Sequence, residues 1–453
     1  MYDLLSHVPD GLKTMRQGLQ DHAAAAAEAL VGDEALQGDS VELVSRLLGL
    51  RDQLHGLLTR AVRGDRGFLT ALGQAFKAVL NKSGRCARSA EHLGAYVDAV
   101  LQGRGAAKGM PEAGVERALD SAMALFRHLE DKDLFEATYR ELLSRRLLGG
   151  KVAQEEQERA MLARLKAECG NQYTQKLESM FWDTHTSAEM NAEFRSRSGA
   201  GASASGADGA EVSVQVLTQG AWPSKGVAAC TLPEEVAAGA RAFEEFYLST
   251  HAGRKLGWQT AMGHAEVRFE TAQGRAFDLV VSTHQMAILA LFNGRDQATA
   301  REIGEETGMD AGEMERALLS MACVKGRNVL KKEPMSGVVD PADVFSVNEA
   351  FDSKLKRVKI GTIVAQREAE QDRGQTLGQV EAHRKPLVEA AVMRVMKSRR
   401  RLEHNALVAQ ATQQLASHFT VPAAKVKQVI ESLLEREYLE RDASDRRIYN
   451  YVS

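Results

Sequence analysis

At 453 residues and 44% apolar, the chain is long enough for roughly three domains with sizeable cores. Its 58 Lys and Arg against 61 Asp and Glu leave a net charge of −3, which argues against a globally electrostatic nucleic-acid binder. The four cysteines (Cys86, Cys169, Cys230, Cys323) form no CxxC or Cys/His ligand spacing, so neither a disulfide framework nor a structural zinc is expected. The longest apolar run is short of a membrane span, and the first residues lack a signal-peptide pattern. A soluble protein of the cytoplasm and nucleus is expected.

Residues 1–88 read as helices. Val41, Val44, Leu47, Leu48, Leu54, Leu57 and Leu58 recur at three- and four-residue steps, and Leu72, Phe76, Val79 and Leu80 continue the stripe. Residues 89–195 predict four helices packed as a bundle. Leu93, Tyr96, Val97, Val100 and Leu101 make one face; Met123, Phe126, Leu129 and Phe135 add to it. An amphipathic stretch covers 133–148, and a long helical pattern over 155–181 is interrupted at Asn171 and Gln172. Cys169 has no histidine near it in sequence and reads as core packing.

Residues 197–210, rich in Gly, Ala and Ser, read as a flexible link. No Gly-Lys-Ser/Thr follows, so the glycines are not a phosphate loop. Val212, Val214 and Val216 alternate with other residues and predict a half-buried strand. Residues 265–270 and 277–282 predict a hairpin across Gly274, and Phe243, Phe246, Tyr247 and Leu248 sit on a helix. Residues 283–348 predict a winged helix. Its helices are 285–292, then 299–308 between a Thr299 cap and Gly308, then 313–323 capped by Asp310; strands follow at 329–332 and 344–347.

Residues 365–385 are polar without an apolar period and read as a mobile connector or an exposed helix. Residues 386–453 repeat the winged-helix pattern. Pro386 starts the first helix, and 405–418 and 422–436 form the next two. Val426, Val429, Ile430, Leu433 and Leu434 point inward, and 438–441 and 447–452 form a hairpin around 442–445. In the first of these helices Val388, Ala391, Val392, Val395 and Leu402 share one face. Lys397 falls on the opposite, solvent side among Arg394, Arg399, Arg400 and Arg401. An amine attacks a thioester only when deprotonated, and neighbouring positive charge favours that form. An outward lysine at a fixed position is therefore a candidate attachment point.

Several of these stretches resemble the cullin family. Residues 6–15 look like a turn inside its third helical repeat, and 140–148, 165–170 and 176–181 look like its four-helix bundle. Residues 217–223 (Leu-Thr-Gln-Gly-Ala-Trp-Pro) and 251–256 are similar to its small sheet domain. The resemblance is most specific in residues 389–399 (Glu-Ala-Ala-Val-Met-Arg-Val-Met-Lys-Ser-Arg), 431–439 and 445–452. Within the family the chain looks nearest to the paralogue that works with BTB-domain adaptors. It departs at Ala221, where an aromatic is usual, at His383, where an acid is usual, and at Pro386.

The resemblance implies a mainly α protein with a small α+β domain. The expected parts are a partial third cullin repeat (1–88), a four-helix bundle (89–195) and an α/β domain (196–364) that includes a winged helix at 283–348. A connector (365–385) and a C-terminal winged-helix neddylation domain (386–453) follow. It also implies a non-catalytic scaffold of a cullin-RING ubiquitin ligase acting in ubiquitin-dependent protein degradation, with no cofactor or metal. Through Val212, Val214, Val216, Trp222, Val267 and Phe269 the sheet would accept an extended strand from a RING-box protein, which recruits a ubiquitin-charged conjugating enzyme. Lys397 would take a ubiquitin-like modifier by an isopeptide bond, freeing the terminal winged helix. The family's adaptor-binding first repeat has no counterpart in these residues, so capture of a BTB adaptor is not expected of them. Three other readings compete. One is a winged-helix DNA-binding regulator using Arg394 to Arg401. Another is a truncated cullin that sequesters the RING partner. The third is a cysteine-dependent ligase, for which no cysteine sits in an activating motif.

Overall fold

Aspartates cap three of the helices that open the chain: Asp33, Asp39 and Asp65. The computed structural model describes residues 2–8, 10–82, 85–149, 155–197, 210–223, 230–271, 274–361, 366–416 and 418–452. Most of the link expected at 197–210 lies outside these residues. The helices begin with α1 (Tyr2–Leu5), α2 (Lys13–Gly32), α3 (Glu34–Gln37), α4 (Ser40–Ala61) and α5 (Arg66–Leu80). Then come α6 (Cys86–Leu101), α7 (Glu112–Phe126), α8 (Lys132–Leu148), α9 (Glu155–Cys169) and α10 (Asn171–Arg197). Asp39 caps α4 by accepting from the amides of Val41 and Glu42; Asp65 caps α5 through Gly67 and Phe68. Gly170, at φ +86°, separates α9 from α10, a conformation a side chain would strain.

The chain divides into two compact units, one of residues 1–146, 151–178 and 372–453, the other of 147–150 and 179–371. In the first unit the helical block is apolar inside. Phe76, Phe126, Phe135, Leu119 and Leu143 are all at most 2% exposed. Among the described residues its largest fully buried side chain is Arg146, 1% exposed. Arg146 Nε and Nη2 donate to the Glu158 carboxylate at 2.5 and 3.0 Å, and Nη1 donates to Asp98. The guanidinium stacks over the Tyr139 ring at 5.4 Å, and the Tyr139 hydroxyl donates to Glu158 at 3.0 Å. Three helices, α6, α8 and α9, are thereby joined around one buried cation.

The second unit contains α11 (Glu234–Thr250), the hairpin β1 (His264–Glu270) and β2 (Ala276–Ser282), and α12 (Thr283–Leu291). β3 (Gln297–Thr299), α13 (Ala300–Thr307), α14 (Ala311–Ala322), β4 (Leu330–Glu333), β5 (Val344–Val347) and β6 (Arg357–Lys359) complete it. The sheets run β1-β2-β6 and β3-β5-β4. The capping of 299–308 is as the sequence predicts. Thr299 and Glu302 form a reciprocal capping box, and Gly308 closes α13 in the left-handed region. Leu279, Ile288, Ile303, Leu318, Met321 and Phe345 form a core that seats both sheets.

Residues 366–399 form one helix, α15 (Gln366–Arg399), so the connector is helical from residue 366 onward. Pro386 does not start a helix; it lies inside α15. A proline there omits one backbone hydrogen bond, and Pro386 is exposed, where the helix tolerates the ring. The chain then forms β7 (Arg401–Glu403), α16 (His404–Leu415), α17 (Ala423–Glu435), β8 (Leu439–Arg441) and β9 (Ile448–Tyr451), with sheet order β7-β9-β8. Each three-helix module therefore carries three strands rather than two. Leu402 is not on the helix face. Arg400, at φ +63°, ends α15, and Leu402 pairs with Tyr449 in the sheet. Among the described residues no helix is long and apolar enough to cross a membrane.

Candidate functional site

Residues 211–217 are where sequence and structure part. Val212, Val214 and Val216 do turn inward, Val214 being buried and the others half-buried, in a small cluster with Phe194, Phe243 and Tyr247. Yet the segment joins no sheet among the described residues. Its backbone is held by side chains instead. Asp183, Ser187 and Asn191 recur every four residues on α10 and so project from one helix face. Asn191 acts as a surrogate peptide group. Its Nδ2 donates to the Val214 carbonyl at 2.6 Å, and its Oδ1 accepts from the Val214 amide at 3.0 Å. Ser187 Oγ accepts from the Val216 amide at 2.8 Å and donates to the Val216 carbonyl at 3.2 Å. Asp183 accepts from the Thr218 amide at 2.7 Å, the Thr218 hydroxyl at 2.8 Å and the Trp222 indole at 2.7 Å.

Backbone groups of successive residues in an extended chain point to opposite sides. Those of Val214 and Val216 are taken by α10. Those of Ser213, Gln215 and Leu217 make no hydrogen bond to a described residue. In the same unit β1 pairs with β2 on one side only. Ala265, Val267 and Phe269 of β1 are half-buried against the core, whereas His264, Glu266, Arg268 and Glu270 are exposed. Among the described residues the segment 211–217 and β1 thus each leave one extended edge unpaired, with donors and acceptors in a row.

Of the six residues expected to meet a partner, Val212, Val214, Val216 and Trp222 gather beside α10, and Val267 and Phe269 sit on β1. Trp222 is 5% exposed and its indole is bound to Asp183, which makes it a brace for the turn at 218–222. Ala221 is also buried. Sequence reasoning missed Asp183, Ser187 and Asn191. The available signal was three polar residues at four-residue steps on a helix that is otherwise apolar on that face.

The terminal module fixes Lys397. Val388, Ala391, Val392, Val395 and Met396 are buried, and they pack with Leu407, Ala411, Phe419, Val426 and Ile430. Lys397 is exposed in the last turn of α15, beside exposed Arg394, Ser398, Arg399 and Arg400. It makes no ion pair with a described carboxylate, so its amine is sterically and electrostatically available. The turn around it is rigid: the Arg400 amide donates to the Met396 carbonyl at 2.7 Å, and its guanidinium lies 5.2 Å from the Tyr451 ring. Arg401 pairs with Asp442 at 3.0 Å, and hydrogen bonds from Ser444 hold the Asp442 carboxyl down at about 2.

Burial pushes the thiols of Cys86 and Cys169 up to about 11, away from the thiolate that covalent catalysis needs. Among the described residues no group of three or more His, Cys, Asp or Glu could hold a metal ion.

Three family models match the chain: a cullin alpha solenoid domain over residues 1–191, a cullin alpha+beta domain over 216–351 and a cullin protein neddylation domain over 383–445. Cullin-3A and Cullin-3B of Arabidopsis thaliana are each 42% identical over the whole chain, which covers 60% of their length. Cullin-3 of Dictyostelium discoideum is 35% identical, with 62% of its length covered. The chain therefore spans about three fifths of the curated relatives it matches.

Proposed function

The chain belongs to the cullin family, and from that premise we propose that it is the part of a ubiquitin ligase scaffold that holds a RING-box protein and presents Lys397 for neddylation. Its own side chains break and form no substrate bond. Its contribution is to keep a ubiquitin-charged conjugating enzyme and an acceptor amine together, which raises their effective concentration. The observation that carries this reading is the extended segment 211–217, clasped by α10 on one side with free amides and carbonyls on the other. A guest strand from the RING-box protein would pair there or along β1, gaining affinity from main-chain bonds. Lys397 would be the isopeptide acceptor, because it is the exposed amine on a well-packed helix end. The proposed setting is the cytoplasm and nucleus.

The DNA-binding alternative loses ground on α17. Lys425 is paired with Glu381 at 3.0 Å and Arg436, just past the helix, with Glu389 at 3.0 Å, so two of the three cations of 422–436 are already engaged.

Co-purification tests the proposal. The chain should retain a RING-box protein. Gln215→Pro, which deletes one outward N–H from an exposed position, should weaken that retention about tenfold or more, whereas Gln215→Ala should not. Lys397→Arg should abolish a covalent mass increase in cells while leaving the fold intact. Failure to retain a RING-box protein, or a modified band undiminished in Lys397→Arg, would overturn the corresponding half of the reading.

A further inference from the structure

A short strap, residues 128–133, leads into α8 and is gripped from three sides. At the end of α5, Asn81 Nδ2 donates to the His128 carbonyl at 2.7 Å and Asn81 Oδ1 accepts from the Glu130 amide at 2.9 Å. From α10, the buried Tyr173 donates its hydroxyl to the Lys132 carbonyl at 2.6 Å. The third grip comes from the terminal module. The amides of Lys132 and Asp133 both donate to the His418 carbonyl, at 3.0 and 3.3 Å, and the Thr420 amide donates to Asp131 Oδ1 at 3.3 Å. Arg384 of α15 binds the Asp133 carboxylate with two bonds, 2.6 and 2.7 Å, and reaches Asp131 at 3.2 Å. Its guanidinium lies 4.7 Å from the centroid of the Phe419 ring.

The first amides of any α-helix have no partner within the helix. A residue just before the helix normally caps them. In α8 the first two are capped by a carbonyl that arrives from far along the chain, and the two aspartates flanking them share one distant guanidinium. Bidentate arginine–carboxylate pairs are strong and directional, and stacking on an aromatic face adds to them.

We infer that the terminal module is a detachable cap for α8: docking of the module and ordering of the first turn of α8 are one cooperative event. Undocking leaves the Lys132 and Asp133 amides to water and two carboxylates without their cation, so the first turn frays. An event at the far end of the terminal module is thereby felt inside the helical block. The inference stands on these contacts alone and does not require the ligase reading.

Hydrogen exchange on the full chain tests it, comparing wild type with Arg384→Ala. The amides of 132–135 and of 418–421 should both lose protection, by about tenfold or more, while core amides of α5 and α17 keep theirs. Arg384→Gln keeps the stem against Phe419 without the charge and serves if the alanine variant does not fold. Opening at 418–421 with unchanged protection at 132–135 overturns the coupling. Unchanged protection at both overturns the latch itself.

Discussion

Two arginines in the first unit are built alike and placed differently. Arg146 holds Asp98 and Glu158 and stacks on Tyr139; Arg384 holds Asp131 and Asp133, with Glu381 of its own helix at 3.4 Å, and stacks on Phe419. The Arg146 side chain is 1% exposed and that of Arg384 15%. That difference separates a permanent joint from a reversible one. Where water cannot reach, a lost partner leaves an uncompensated charge. Where water reaches the rim, solvent replaces the partner at modest cost.

The contrast breaks most sharply at Arg146. Arg146→Met leaves Glu158 without its cation in the core, while Asp98 keeps Arg104 at 2.7 Å, and should cost about 3–5 kcal/mol in denaturant unfolding. A loss below about 1 kcal/mol would remove the distinction between the two sites. Asn191→Leu comes next, at about 1–3 kcal/mol, because it strands the Val214 N–H and C=O in a buried place. Arg384→Ala should cost about 1–2 kcal/mol, expressed as local opening rather than as loss of the whole fold. Raising the salt concentration should mimic Arg384→Ala in part and leave the Arg146 joint unchanged.

Acid sharpens the comparison with the smallest effect. Burial, with Lys176 3.3 Å from the ring, pushes His383 below the ordinary imidazole value, and Arg140 adds to this while Asp133 opposes it. Burial likewise lowers His418, which faces Asp133 and Lys132. The docked module therefore favours neutral rings. Docking is fully supported above about pH 6.5, where free imidazoles are neutral too, and weakens as pH falls below that. Asp133 and Glu136, both raised by burial, act in the opposite sense as pH falls through the carboxylate range. Between pH 7.5 and 5.5, exchange at 132–135, corrected for its intrinsic rate, should rise modestly, because solvent around the exposed His383 keeps the effect small. The double variant His383→Gln, His418→Gln should flatten that dependence. The Arg146 joint contains no imidazole and should not respond.

Much of the fold could be read from the chain because its signals are local. Thr299 with Glu302, Gly308, Asp310 and the alternation of 265–270 each act within a few residues. The valine-rich face of 388–395 carries its own period. The outward placement of Lys397 was legible for the same reason. What stayed hidden is long-range. Arg146 meets a residue 48 positions away and Arg384 one 251 positions away, and no periodicity announces either. The valines of 212–216 gave the right inward side but not the α10 side chains that bond the backbone, because alternation reports where side chains go and not what bonds the backbone. Pro386 misled because its preference for a first helical turn is statistical, and an exposed interior position with one bond omitted also accommodates it.

The clasp on α10 reads main chain and leaves the outward residues unread. Ser213 and Gln215 can therefore diversify among residues that keep a backbone N–H, whereas Asp183, Ser187 and Asn191 form a ruler with a pitch of four. One residue inserted between Asp183 and Asn191 would swing the later rung by about 100° and unfasten the segment. This stretch of helix should thus absorb changes of letter far more readily than any change of length.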